Sequence, residues 1–139
     1  MARMIPPRVG EKTVSPGEIW LFDKFKKDQE TGDWIVLHSM GCAEHSERLS
    51  GEIDLVVIIP GVGVLCIEVK ASTGVRREEG DWFFSEGNKW IKRISPFKQV
   101  EDSTYSFKKA LVKSDWSLKG LLFYHSVMFT KNNFSEEYS

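Results

Sequence analysis

The stretch GEIDLVVIIPGVGVLCIEVKAS, residues 51–72, contains two apolar runs that meet at a Pro-Gly turn. Ionisable residues stand at the outer end of each run: Asp54 on the first, and Glu68 with Lys70 on the second. Strands that are apolar on both faces usually lie in the middle of a sheet. A charge in such a place is costly unless it is paired or bound to a metal ion. This stretch therefore predicts a central hairpin with a polar site at one end.

The length of the turn decides whether the three ionisable groups meet. Glu68 and Lys70 are two residues apart, so their side chains project from the same face of a strand. A three-residue loop at 60–62 would place Asp54 opposite Glu68, about 5 Å away across the strand pair. A two-residue loop would shift the register and would not bring them together.

Two facing carboxylates repel each other, and each raises the pKa of the other. A hard divalent cation between them removes that conflict, and carboxylates with a backbone carbonyl are suitable ligands for Mg²⁺, which keeps several waters. A bound water becomes a better nucleophile, and Lys70 can stabilise charge that develops on a phosphate. The pattern thus indicates metal-assisted phosphodiester hydrolysis. Without metal, Asp54→Ala is expected to raise stability. The alternative is that these charges only serve the fold at ordinary strand ends.

Composition narrows the class of protein. The 139 residues fit one domain, and the net charge of −1 excludes an overall basic field, so nucleic-acid binding would need a local basic patch. The two cysteines, Cys42 and Cys66, form no CxxC motif, and Cys66 lies in an apolar run as a core residue would. We expect a reduced, cytoplasmic setting. The chain has no apolar signal-peptide region near its start and no apolar run of membrane-spanning length.

The chain divides into three parts. Residues 1–14 are predicted to be a flexible arm, residues 15–130 the domain, and residues 131–139 a tail that can lead to a further domain of a longer polypeptide. The domain opens with helix signals, because Ser15 suits the N-cap and Glu18 completes an S-x-x-E capping box. The helix is expected to bury a stripe of large apolar residues: Ile19, Trp20, Leu21, Phe22 and Phe25.

The remaining elements predict the fold class. Strands are expected at 33–40, 52–59, 64–70 and 121–130, with a second hairpin at 81–85 and 89–94. A helix over 95–113 opens with Ser-Pro and shows apolar steps of three and four residues. It links two strands as a crossover. The predicted architecture is α/β: a central mixed sheet, made of a meander plus a crossover strand, flanked by helices.

GEID, then VVIIPGVGVLCIEVKAS, then SPFKQ at the start of a helix resemble the nuclease-related domain, NERD. That family belongs to the PD-(D/E)xK restriction-endonuclease-like superfamily, and the resemblance covers roughly residues 15–130. It implies a restriction-endonuclease-like fold and a Mg²⁺-dependent nuclease that hydrolyses DNA, with Mn²⁺ able to substitute. It also implies roles for six residues: Asp54 and Glu68 as metal-binding acids, Val69 as a carbonyl ligand, Lys70 as the catalytic lysine, Glu18 as the acid of the first helix, and Gln99 as a site glutamine.

For two of these residues, a purely structural role explains the sequence as well as a role in the site does. Glu18 satisfies the capping box whether or not it also reaches a metal ion. Gln99 near the start of the second helix is either an exposed helix residue or a group that reaches the phosphate or the metal-bound waters.

Basic residues interleaved with aromatic ones suggest where DNA would bind. Lys89, Lys92, Arg93 and Lys98 surround Trp90, a combination that suits a phosphate backbone and stacked bases. The alternative is solvated charge over core tryptophans. An alternative function of another class is a catalytically silent module that binds nucleic acid or a partner protein, for example beside a fused or associated helicase or kinase domain. The clustered acids favour the enzyme, since a pure binding module has no use for acids that repel phosphate.

Overall fold

The computed structural model describes residues 1–5, 16–38, 53–70, 72 and 74–130. They form eight strands and two α-helices: β1 (Arg3–Ile5), α1 (Pro16–Lys27), β2 (Ile35–His38), β3 (Leu55–Ile59), β4 (Gly63–Lys70), β5 (Val75–Glu78), β6 (Asp81–Glu86), β7 (Lys89–Arg93), α2 (Pro96–Ser114) and β8 (Phe123–Phe129). Two short 3₁₀ helices, Gln29–Thr31 and Trp116–Gly120, lie after α1 and before β8.

Five strands form the main sheet in the order β1-β2-β3-β4-β8. Strands β2, β3 and β4 are an antiparallel meander, while β8 lies parallel to β4 and β1 lies parallel to β2. Helix α2 packs against β4 and β8 and carries the chain between the second hairpin and β8. The predicted mixed sheet with a crossover strand and flanking helices is confirmed, and it is consistent with a restriction-endonuclease-like fold.

The main sheet has a core on each face. On one face Leu21 and Phe22 of α1 pack with Leu55 and Ile67, and on the other Val100 of α2 packs with the side chains of β3 and β4 that point the opposite way. The α2 helix is capped as its Ser-Pro start predicts, because the Ser95 hydroxyl accepts a hydrogen bond from the Lys98 N–H at 3.3 Å. Both faces of the central strands are therefore buried, as their apolar composition predicts.

The register of the β3–β4 hairpin is the one that the three-residue loop predicts. Leu55 pairs with Ile67, and Ile59 pairs with Gly63, which leaves residues 60–62 as the turn. The predicted register is confirmed for β3 and β4. Continued one step beyond Leu55 and Ile67, it would set Asp54 opposite Glu68.

Three local predictions are corrected. Residues 3–5 are not part of a flexible arm: they form β1, and Met4 is buried against α1 and the sheet. Strand β5 was not predicted, and it joins β6 and β7 in a separate three-stranded antiparallel sheet. In α1 the inward face carries Leu21 and Phe22, whereas Ile19 and Trp20 are exposed. Ser15, the predicted N-cap, lies outside the described residues.

Gly63 holds β4 close to the segment that leads into β8. Its φ of +149° suits glycine, and a Cβ at this position would overlap the carbonyl oxygen of Leu122. That carbonyl accepts a hydrogen bond from the Val64 N–H at 2.9 Å. The backbone approach therefore helps to align β8 beside β4.

Gly63→Ala is expected to destabilise the protein by about 2 kcal/mol, since the methyl group is strained by the backbone angle and by the Leu122 carbonyl. Chemical denaturation measures the effect. Gly120→Ala is the matched control, because a Cβ there meets nothing within 4 Å. Equal stability of the two variants would show that the approach to Leu122 is not a constraint.

Candidate active site at the end of the central hairpin

Asp54 stands immediately before β3, and its side chain continues the pairing between the two central strands. The Val69 N–H donates a hydrogen bond to Asp54 Oδ2 at 2.8 Å. Regular pairing would direct this N–H to the backbone of residue 53, so the carboxylate takes the place of a ladder acceptor. The bond holds Asp54 against β4, directly between the positions of Glu68 and Lys70.

The Val69 carbonyl points toward the same edge of β4 as its N–H. Successive backbone groups of a strand alternate in direction. The Lys70 carbonyl accepts a hydrogen bond from the Thr130 N–H at 3.1 Å, on the β8 side of β4. The Val69 carbonyl therefore faces the β3 side, beside Asp54, as its predicted role as a ligand requires.

Glu68 and Lys70 form an ion pair on the face of the sheet that α2 covers. Lys70 Nζ lies 3.2 Å from Glu68 Oε1, and the side chains are 27% and 7% exposed, respectively. A buried carboxylate needs a partner, and Lys70 supplies one. Asp54 is two residues before Val56, which faces α2 in the same core. The three charged groups thus share one face and one end of the hairpin.

The three-stranded sheet contributes a wall to this site. Lys70 Nζ lies 5.6 Å from the centroid of the Phe84 ring, a cation–π distance. Phe84 comes from β6 and is buried. The Lys70 ammonium group therefore contacts both the Glu68 carboxylate and the Phe84 ring.

The fit of a divalent cation can be judged from the oxygen atoms at this end of the hairpin. In the part of the chain that the structure describes, no group of three or more His, Cys, Asp or Glu side chains is arranged to hold a metal ion. Mg²⁺ does not need such a group, since one or two carboxylates with waters and phosphate oxygens suffice. The hard oxygens of Asp54, Glu68 and the Val69 carbonyl fit Mg²⁺.

Glu18 lies on α1 and Gln99 lies on α2. Glu18 is half-buried in the first turn of α1, and it lies three and four residues before Leu21 and Phe22, on the face that packs toward the sheet. The described acids form no cluster of three, so Glu18 is not gathered with Asp54 and Glu68 into one ligand group. Gln99 is half-buried in the first turns of α2, next to Val100, which packs on the sheet.

The predicted DNA-binding residues are divided between surfaces. In the three-stranded sheet, Arg93 pairs with Trp82 and shares the inner face with Phe84, whereas Lys92 pairs with Phe83 and lies on the outer face with Trp90. Lys89 lies on the inner face, and Lys98 is exposed in the first turn of α2. The structure does not bring Lys92 and Trp90 to the face that meets Lys70.

Arg77 is a basic residue of the inner face that was not among the predicted DNA-binding residues. It pairs with Trp82 across β5 and β6, and its guanidinium carbon lies 5.8 Å from the Trp82 ring centroid. The sequence VRRE at residues 75–78 could have indicated its place. If these residues form a strand, alternation of side chains puts Arg76 and Arg77 on opposite faces. Without that strand, the run of charges was indistinguishable from a solvated loop.

Cys66 is not a candidate nucleophile. It is fully buried between the sheet and α2, as its apolar surroundings predict. Burial raises the pKa of the Cys66 thiol. A protonated, inaccessible thiol belongs to the core.

The family model of the nuclease-related domain, NERD, matches residues 14–130 of the chain. The chain belongs to the NERD family. NERD lies within the restriction-endonuclease-like superfamily, and the mixed sheet with its helices is the architecture expected of it. No curated protein and no solved structure matches the chain. None of the helices in the described ranges is both long and apolar enough to cross a membrane.

The hydrogen bond from Val69 reverses one expectation for this NERD domain. Asp54→Ala was expected to raise stability without metal by relieving repulsion, but the alanine leaves a partly buried N–H without its acceptor. We now expect a loss of about 1–3 kcal/mol. Asp54→Asn keeps an acceptor oxygen, so its free energy of unfolding should be closer to that of the unaltered protein. Urea denaturation in chelator measures both variants, and an alanine variant at least as stable as the asparagine variant would show that repulsion dominates.

Proposed function

We propose that this NERD domain is a Mg²⁺-dependent nuclease that hydrolyses DNA phosphodiester bonds at the end of the β3–β4 hairpin, with Mn²⁺ able to replace Mg²⁺. The observation that carries the proposal is the joint placement of the three charged groups. Asp54 is held by the Val69 N–H at 2.8 Å, and Glu68 is held by Lys70 at 3.2 Å, on one face of two paired strands.

The residues divide the work of the reaction. Asp54, Glu68 and the Val69 carbonyl would hold the cation, which supplies charge neutralisation and lowers the pKa of a water molecule when bound. Lys70 would donate a hydrogen bond to a non-bridging phosphate oxygen and stabilise the negative charge that grows there. Glu68 and Phe84 limit the motion of the lysine, so its ammonium group is oriented before the substrate arrives.

A silent binding module remains the second candidate, and two observations favour it. The described acids do not form a cluster of three, and one oxygen of Asp54 already accepts a hydrogen bond from Val69. Such a module would bind nucleic acid or a partner protein through the same surfaces, for example beside a fused or associated helicase or kinase domain. A cleavage assay separates the two candidates.

Linear and circular DNA are incubated with the purified protein in Mg²⁺, in Mn²⁺ and in EDTA. We expect cleavage with either metal and none with EDTA. Asp54→Asn, Glu68→Gln and Lys70→Met should each reduce the cleavage rate by about 100-fold or more, since each removes a charge that holds the cation or stabilises the reacting phosphate. Circular dichroism shows whether each variant is folded.

Lys92→Met is the matched control for Lys70→Met, because Lys92 lies on the outer face of the three-stranded sheet. It should cut at nearly the rate of the unaltered protein. Cleavage that survives EDTA would contradict the metal-dependent mechanism, and absence of cleavage in both metals would favour the silent module.

Glu18 is tested by two substitutions with different chemistry. Glu18→Gln retains an acceptor for the start of α1, so its stability should fall by only a few tenths of a kcal/mol, from the lost interaction with the helix dipole. Cleavage should still fall by about 10-fold if Glu18 supports the metal site, and metal titration should show weaker binding. Glu18→Ala should also lower the melting temperature. A glutamine variant with unchanged metal affinity and cleavage would leave Glu18 with a structural role alone.

A further inference from the structure

Three aromatic rings form a partly open surface beside the candidate site. We call this surface, made of Trp82, Phe97 and Phe129, the aromatic ledge. The Trp82 and Phe129 rings lie 6.4 Å apart and within 11° of parallel, and Phe97 lies 5.5 Å from Trp82 and 6.2 Å from Phe129. The rings come from three separate elements, β6, α2 and β8, so the ledge exists only in the folded protein.

The ledge is continuous with Lys70. Phe129 pairs with Lys70 across β4 and β8. Phe84, whose ring lies beneath the Lys70 ammonium group, also packs 6.5 Å from Trp82 at an angle of 18°. A strand with one phosphate at Lys70 would therefore bring a flanking nucleotide close to the ledge.

Exposure distinguishes the ledge from ordinary core. Phe84 is only 3% exposed. Phe97, the second residue of α2, is 46% exposed. Ile94, three residues before Phe97, is 68% exposed. A large ring half open to water gains little from packing, so the arrangement leaves a flat apolar surface available to a planar ligand.

A cation accompanies the rings. The Arg77 guanidinium lies 5.8 Å from the Trp82 ring centroid on the inner face of the sheet. Its neighbour Arg76 is tied to Glu78 at 3.4 Å on the outer face. No carboxylate of the described residues lies within ion-pair distance of Arg77, so its charge is available to a phosphate next to the ledge.

We propose that the aromatic ledge binds an unpaired nucleobase of the strand whose phosphate lies at Lys70, with Arg77 on an adjacent phosphate. A base can stack on Phe97 and Trp82 only if it has left its own duplex, because paired bases are stacked on their neighbours inside the helix. The ledge would therefore select single-stranded DNA, or frayed and flapped ends, over intact duplex. This inference rests on the proposed function, since it extends the same site.

Binding in EDTA tests the ledge separately from cleavage. Three fluorescein-labelled oligonucleotides of equal length are titrated: a single strand, its duplex, and a strand in which tetrahydrofuran replaces every base. The single strand should bind about 5-fold or more tighter than the baseless strand, which carries the same phosphates. Phe97→Ala should remove most of that difference and leave the affinity for the baseless strand unchanged.

Tyr105→Ala is the matched control, because Tyr105 is a 69% exposed aromatic residue of the same helix that lies outside the ledge. It should bind all three oligonucleotides as the unaltered protein does. If Phe97→Ala fails to fold, Phe97→Leu keeps an apolar side chain without the flat ring and should show the same loss. Equal affinity for the single strand and the baseless strand would overturn the proposal.

Arg77→Ala and Arg76→Ala test the path of the DNA strand, because these neighbouring residues lie on opposite faces of the three-stranded sheet. Arg77→Ala should weaken binding of both single strands and reduce the slope of log affinity against log salt by about 0.7, the value for one phosphate of a single strand. Arg76→Ala should leave the slope unchanged. Equal effects of the two substitutions would overturn the placement of the strand on the inner face.

The two proposals fail in different ways. Cleavage in Mg²⁺ at equal rates on single-stranded and duplex DNA, with no effect of Phe97→Ala, would overturn the ledge and leave the nuclease standing. Binding that depends on Phe97 and on the bases, without cleavage in either metal, would support the ledge and overturn the nuclease.

Discussion

The hydrogen-bond register between β3 and β4 determines which charged groups of this protein can act together. The turn at residues 60–62 sets that register, and Gly63 at its end permits the close backbone approach to Leu122 that brings β8 alongside. Because side chains alternate along a strand, a slip of one residue would turn Asp54 to the face opposite Glu68. The fold and the candidate site thus depend on the same turn.

The charges at the end of the hairpin are held in place before any ligand binds. A backbone N–H holds Asp54, while the nearly buried Glu68 is paired with Lys70, whose ammonium group lies over the Phe84 ring. Each contact offsets part of the cost of bringing a charge out of water. The proposed cation and phosphate would bind at this same end of the hairpin.

The three-stranded sheet gives the domain two chemically different surfaces. Strand alternation sends Arg77 and Arg93 to the inner face beside Trp82, and it sends Arg76 and Lys92 to the outer face. On the outer face both cations are paired with acids of the same sheet, and on the inner face Arg93 is paired with Glu86. Basic residues that are adjacent in sequence therefore have different environments, and only one set lies next to the aromatic ledge.

The sequence by itself determined the central hairpin with its register, the α2 helix with its Ser95 cap and the crossover to β8, because these follow from local patterns of apolar residues, turns and helix caps. Strands β1 and β5 were missed, since a three-residue strand and a charged strand show no apolar period. The placement of Arg77 and the aromatic ledge was decided only by the tertiary structure. Their neighbours come from strands and helices far apart in the chain, and no local pattern records which of those elements will pack together.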